Sequence, residues 1–249
     1  MREVLPVPRS VCLAAWGTAW LRGLVPLGAA VSAGYRPDDE PTDPLADQLR
    51  QVRASGATGL RVVLPIPGDV AGLPGPVGVN RAATAARECV VTVGGVRATV
   101  LVPEISPFGP ARDRGTAVAW RAYPADDVRV EVPGLAEAHR ALTEAVLAAA
   151  DSLAVLDLAR WRPGTAQERA VVQRAELDPE ALPPLAAGTP AKAPGVLANA
   201  ARWRALVTLA LGEDGVGISA HEFETRSRSL RGLDDAARRA VQAAGNAAL

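Results

Sequence analysis

The pair Gly94-Gly95 constrains this chain more than any other local signal. It separates two β-rich runs, residues 89–93 and 96–102, and two glycines reach the positive φ values of a tight turn without steric cost. An antiparallel hairpin is the expected outcome. In its second arm Val96, Ala98, Val100 and Val102 alternate with Arg97, Thr99 and Leu101, so one face is apolar and the other mixed. Two further runs extend the sheet. Leu60-Arg61-Val62-Val63-Leu64, between Gly59 and Pro65, reads as a buried strand, and residues 116–123 as an antiparallel strand reached through a Pro- and Gly-rich loop at 103–115.

Helical signals surround these strands. Ser10 is placed to cap a helix running through Trp16 and Trp20. Residues 36–44, with Asp38, Asp39, Glu40 and Asp43, read as a solvated loop. An amphipathic helix is expected from Leu45 to about Ala54, ending at Gly56. After Pro133-Gly134 the texture turns to helix alone. Leu135, Ala138, Leu142, Ala145, Ala149, Ser152 and Leu156 alternate spacings of three and four, the stripe of one long helix reaching about Arg160. Pro163-Gly164 ends it, a shorter helix spans 166–176, and residues 182–194, with four prolines, read as a linker. Three helices close the chain, near 196–211, 219–229 and 233–247. The expected class is therefore α+β: an antiparallel sheet of at least three strands with helices in the N-terminal half, then an Ala-rich helical C-terminal half. The expected parts are residues 1–133 and 134–249, as two domains or one merged core.

Of the 249 residues, 27 are Lys or Arg and 27 are Asp or Glu, giving a formal charge of zero. That balance argues against a polybasic nucleic-acid coat. The last fifty residues carry seven Arg against six acids, too even a mixture for strong phosphate binding. Fifty residues are Ala and Lys192 is the single lysine, the bias of a GC-rich genome of the actinobacterial type. Arg then fills surface positions that Lys would fill elsewhere. Cys12 and Cys89 sit alone in apolar runs and read as two buried thiols.

Arg2 and Arg9 before the apolar stretch 11–21, with Val31-Ser32-Ala33 beyond, imitate a signal peptide. Arg22 interrupts that stretch and Pro6 and Pro8 crowd its start, so a folded cytoplasmic helix is expected and secretion is the minority alternative. No run approaches the roughly 20 apolar residues of a membrane helix.

Catalytic and metal motifs all fail on a named residue. Gly68, Gly72, Gly75 and Gly78 follow a strand and precede a helix that Asn80 could cap, the order of a phosphate cradle. The spacing fits neither nucleotide fingerprint, no Lys is present, and Pro65, Pro67, Pro74 and Pro76 remove amide donors. His221-Glu222-Phe223-Glu224-Thr225 begins like a zinc-protease helix but has Thr where the second His must stand. Residues 211–223 are similar to an EF-hand loop, yet Leu211, Gly215 and Val216 occupy ligand and turn positions, so the oxygen cage is missing. His139, with Glu137, Arg140 and Glu144 nearby, fits a solvated helical face.

One repeated pattern stands out. Arg160-Trp161-Arg162 and Arg202-Trp203-Arg204 place guanidinium pairs around aromatic anchors, suited to an acidic partner surface or an anionic ligand. The bland reading packs each Trp inward with its Arg neighbours on the surface. The leading expectation is an interaction or adaptor protein without catalytic activity, cofactor or metal, acting on a protein partner or by self-association. The alternative is an enzyme or small-molecule binder with an anion pocket lined by Arg121, Arg160, Arg162, Arg202 or Arg204.

Overall fold

A computed structural model of the chain describes residues 7–70, 72–110, 114–126, 133–155, 182–211 and 220–249. The chain forms two compact units, one of Pro8–Val132, Pro184–Ala191 and Gly245–Leu249, the other of Met1–Val7, Pro133–Pro183 and Lys192–Ala244.

The first unit is an α+β layer built on a five-stranded sheet ordered β1-β5-β4-β3-β2. Its strands are β1 (Asp39–Pro41), β2 (Ala57–Val63), β3 (Cys89–Gly94), β4 (Ala98–Phe108) and β5 (Gly115–Ala125). All pairings are antiparallel except β1 with β5. The glycine hairpin lies where expected, with φ +74° at Gly94 and +88° at Gly95. Its tip is held by Val96 N–H donating to the Ser55 carbonyl at 3.0 Å.

The next hairpin is longer than the sequence suggested. The expected loop at 103–115 shrinks, because β4 runs on through Pro103 and Pro107 to Phe108 and pairs with β5 over its whole length. Prolines survive there because β3 pairs with β4 only near Leu101 and Val100, so beyond Val102 the outer edge of β4 needs no amide donors. Phe108 covers its cross-strand partner Gly115, where a Cβ would come within 2.3 Å of the ring.

Helix α1 (Arg9–Leu21) is buried almost all round, as a helix covered on both sides must be. Towards the sheet, Gly17 lets α1 approach β2 so closely that a Cβ would stand 2.3 Å from Leu60 Cδ1. On its other side Ala15 and Ala19 pack against Ala186, and Trp16 Nε1 donates to the Pro184 carbonyl at 2.8 Å. Residues 184–191 are therefore docked on α1 rather than acting as part of a free linker. α2 (Leu27–Ala33) follows, and α3 (Leu45–Ala54) buries Leu45, Leu49 and Val52 at helical spacing. On the opposite face of the sheet, α4 (Val77–Ala86) lays Val79 and Ala83 over Val63, Val91, Val100 and Val102.

The outer edge of β2 is closed by side chains. Asn246 accepts from Val62 N–H through Oδ1 (2.8 Å) and donates to the Val62 carbonyl through Nδ2 (3.0 Å). Thr18 Oγ1 accepts from Leu60 N–H at 2.9 Å and donates to the Leu60 carbonyl at 3.2 Å. Two side chains thus imitate a neighbouring strand, and the edge offers these backbone groups to no other chain.

The second unit contains α5 (Leu135–Val155), α6 (Ala193–Leu211) and most of α7 (Ala220–Gly245). Along α5, Ala138, Leu142 and Ala149 are buried, and Leu135, Ala145 and Ser152 are half-buried, the stripe read from spacing; Leu156 lies outside the described residues. The two helices expected at 219–229 and 233–247 are instead one, α7, running unbroken past Gly232. Leu230, Leu233, Ala237, Ala240, Val241 and Ala244 make a continuous buried stripe, and its packing outweighs the roughly 1 kcal/mol that a mid-helix glycine costs. The short helix expected at 166–176, and Ser219 ahead of α7, lie outside the described residues.

Candidate functional site

Arg202, Trp203 and Arg204 occupy successive positions on α6. Arg202 is exposed, Trp203 half-buried and Arg204 half-buried. Arg204 Nε pairs with Asp234 Oδ1 of α7 at 3.2 Å, and Arg226 Nη2 of α7 donates to the Ala210 carbonyl at 2.8 Å. Arg204 is thereby a helix-to-helix tie, whereas Arg202 has no acidic partner among the described residues. The other triplet, Arg160, Trp161 and Arg162, lies outside the described residues. Arg121 projects from β5 and pairs with Glu104 of β4 at 2.9 Å, both largely exposed.

Sequence reasoning missed a polar cluster at the start of α1. Arg9 grips Asp39 with two hydrogen bonds, Nε to Oδ2 at 2.6 Å and Nη2 to Oδ1 at 2.5 Å, and both side chains are almost wholly buried. The acidic stretch read as a solvated loop therefore carries β1 and a buried ion pair. Burial alone would raise the Asp39 pKa. Hydrogen bonds from Arg9 and the Arg36 N–H, with both guanidinium charges, outweigh it and hold this carboxyl below its ordinary value.

Glu88, buried just before β3, accepts from the Ser10 N–H through Oε2 at 2.8 Å. Helix α1 begins at Arg9 with Pro8 as its N-cap, so Ser10 does not cap the helix. Glu88 performs that task from 78 residues away, satisfying an orphan amide at the positive end of the helix dipole. Burial still drives its pKa upward, ahead of the opposing influence of Ser10, Arg9 and Arg36. Arg36 stands on the more open side, its own pKa lowered by partial burial and by the Arg9 charge.

A second network centres on Asp43. It accepts from Tyr35 Oη at 2.5 Å and from Trp120 N–H at 2.6 Å. Gln48 donates to the Trp120 carbonyl at 2.6 Å, and Trp120 Nε1 donates to the Gly34 carbonyl at 3.1 Å. These bonds fasten β5 to the α2–α3 connection around a fully buried Trp120. Burial, then the Asp43 hydrogen bond and charge, push the Tyr35 hydroxyl pKa upward, so the phenol keeps its proton.

The glycine loop after β2 turns through Ile66 and Asp69, whose amides donate to each other's carbonyls at 3.0 Å. Asn80 lies inside α4 rather than at its cap, and accepts from Gly75 N–H at 3.0 Å. The cation absent from the loop itself comes from the preceding strand: Arg61 Nη2 donates to the Gly72 carbonyl at 3.1 Å. Cys12 and Cys89 are free and buried. Burial pushes the Cys12 thiol up to about 11 and the Cys89 thiol to about 12, so both are protonated at neutral pH and poor nucleophiles.

Fold and site define an α+β protein with a mostly antiparallel sheet and a helical partner unit. Residues 10–138 match the Rv1486c-like protein, N-terminal domain, and residues 136–242 the Rv1486c-like protein, C-terminal domain; the chain belongs to the Rv1486c-like family. Among its relatives, Uncharacterized protein ML1804 of Mycobacterium leprae (strain TN) is 29% identical over 289 aligned positions, covering 96% of this chain and 97% of that one. Uncharacterized protein Rv1486c of Mycobacterium tuberculosis (strain ATCC 25618 / H37Rv) is 30% identical over 265, covering 90% of each. No solved structure matches.

Proposed function

We propose that the protein is a non-catalytic interaction module, acting in the cytoplasm and using the Arg202-Trp203 surface of α6 to receive an acidic partner protein. One observation carries this reading: Arg202 is exposed without an acidic partner among the described residues, directly beside a half-buried tryptophan. Adjacent Arg and Trp are the residue types that dominate binding energy at protein interfaces. Arg160, Trp161 and Arg162 are assigned to the same role by their identical pattern. Residues 1–133 and 134–249 are taken as the two domains, a division supported by the compact units parting after Val132 and the family matches meeting at 136–138, with Pro184–Ala191 and Gly245–Leu249 returning to the first unit. The cytoplasmic assignment draws support from two buried cysteines that form no disulfide. No helix among the described residues is long and apolar enough to cross a membrane.

The test is affinity purification of the tagged full chain from its source organism after mild cross-linking, with mass spectrometry, beside the Arg202→Glu variant. A stoichiometric partner recovered with the unaltered protein and lost from an equally stable variant supports the reading. Recovery of the protein alone, or equal capture by both forms, refutes it.

A further inference from the structure

Arg61 is a buried charge with no countercharge among the described residues. It is 8% exposed and leaves β2 on the face covered by α4, in one cross-strand row with Val91, Val100 and Tyr123. Its Nη2 is bonded to the Gly72 carbonyl. Its Nη1 is closed off from solvent and, among the described residues, has no hydrogen-bond partner. No carboxylate pairs with it there either. A buried lysine could escape this cost by losing its proton, but a guanidinium stays charged. An isolated buried ion is strongly unfavourable, and an anion taken from solution would relieve that cost.

The surrounding loop decides which anion. Pro65, Pro67, Pro74 and Pro76 have no amide to offer. The Ile66, Asp69, Leu73 and Gly75 amides already donate to Asp69, Ile66, Val70 and Asn80. Eight of the twelve positions from Pro65 to Pro76 thus have no amide left to offer a phosphate. Asp126 adds negative charge at its far end, standing 3.0 Å from the place a Gly75 Cβ would take. A multiply charged oxyanion finds one guanidinium edge opposed by a carboxylate, whereas a single negative charge is matched by Arg61 alone.

We propose that Arg61 holds a monovalent anion, a halide or a carboxylate group, on its unpartnered Nη1 beneath the Gly72 segment. Gly72 is what covers that edge, since a Cβ there would lie 3.5 Å from Nη1, and the segment shifts outward to admit the ion. Arg61 thereby gains its missing countercharge and the folded state is stabilised by mass action.

The experiment is thermal unfolding of the full chain in sodium chloride, sodium acetate and sodium phosphate at matched ionic strength, for the unaltered protein and Arg61→Met. The expected result is a Tm increase of about 4 °C in chloride or acetate at roughly ten times the dissociation constant. Phosphate gives a smaller increase, and the variant shows none specific to either monovalent anion. Chloride with acetate points to the single charge as the determinant, and acetate alone to a carboxylate group. Equal shifts in both proteins, no shift in the unaltered one, or the largest shift in phosphate overturns the proposal. Should Arg61→Met fail to fold, crystals of the unaltered protein grown in sodium bromide decide it. A bromide anomalous peak within hydrogen-bond distance of Nη1 supports the site, and its absence overturns it.

Discussion

Asn246 offers the sharpest test of how the sheet is closed. Its amide makes two hydrogen bonds to Val62, at 2.8 and 3.0 Å, and Asn246→Ala removes both while leaving the Val62 N–H and carbonyl in place. A buried polar group deprived of its partner costs about 1–3 kcal/mol. Val62 is fully buried, but Asn246 itself is half-buried, so water recovers part of that cost and the expected loss is about 2–4 kcal/mol for the pair. In a chain of this size that lowers Tm by roughly 5–15 °C. Urea unfolding followed by circular dichroism measures it, with an unchanged m-value showing that the variant loses stability rather than compactness. A loss below about 0.5 kcal/mol would refute the reasoning, because it would mean that the β2 edge is satisfied without Asn246.

Three further expectations follow from the polar cluster and the thiols. Glu88 has a raised pKa in the fold, so the native state binds more protons and Glu88 makes stability fall as pH rises from about 4.3, its unfolded value, through the folded one. Glu88→Gln keeps an acceptor for the Ser10 amide and should gain stability relative to the parent across that window; parallel urea curves from pH 4 to 8 would contradict the assignment. Asp39 has a lowered pKa, so its contribution is present above about 3.9 and is lost as pH falls through the folded value. Asp39→Asn leaves Arg9 buried without its carboxylate and should cost about 3–5 kcal/mol near neutral pH, with the difference from the parent shrinking in acid once the parent's Asp39 is protonated, as urea unfolding of both proteins across that range measures. Finally, Cys12 and Cys89 should resist iodoacetamide in the native protein at pH 8 and react once denatured, as quantified by intact mass; rapid native labelling of either would contradict their burial.

Much of the local structure is legible in the residues. The Gly94-Gly95 turn, the buried run at 60–64, the α3 helix and the α5 stripe follow from glycine's steric freedom and from apolar spacing, which are properties of neighbours in sequence. The triplet Arg202-Trp203-Arg204 is equally visible as a pattern. Its division of labour is not, because Arg204 becomes a tie only when α7 brings Asp234 to it. Where reading failed, a distant partner had altered the meaning of a residue. Asp39 reads as solvated until Arg9 buries it, Pro103 reads as loop until β3 ends short of it, and Gly232 reads as a break until the α7 stripe carries the helix through.

The α+β class, the central hairpin with its neighbouring strands, and the absence of any complete catalytic or metal motif are thus determined by the sequence itself, since each rests on composition, periodicity or fixed spacing. Only the tertiary structure decided that Glu88 caps α1, that Thr18 and Asn246 complete the edge of β2, and that Arg61 lies buried without a countercharge among the described residues. These are long-range encounters of polar groups. Their energies depend on what burial removes from water, and no local pattern in a chain records which groups will meet there.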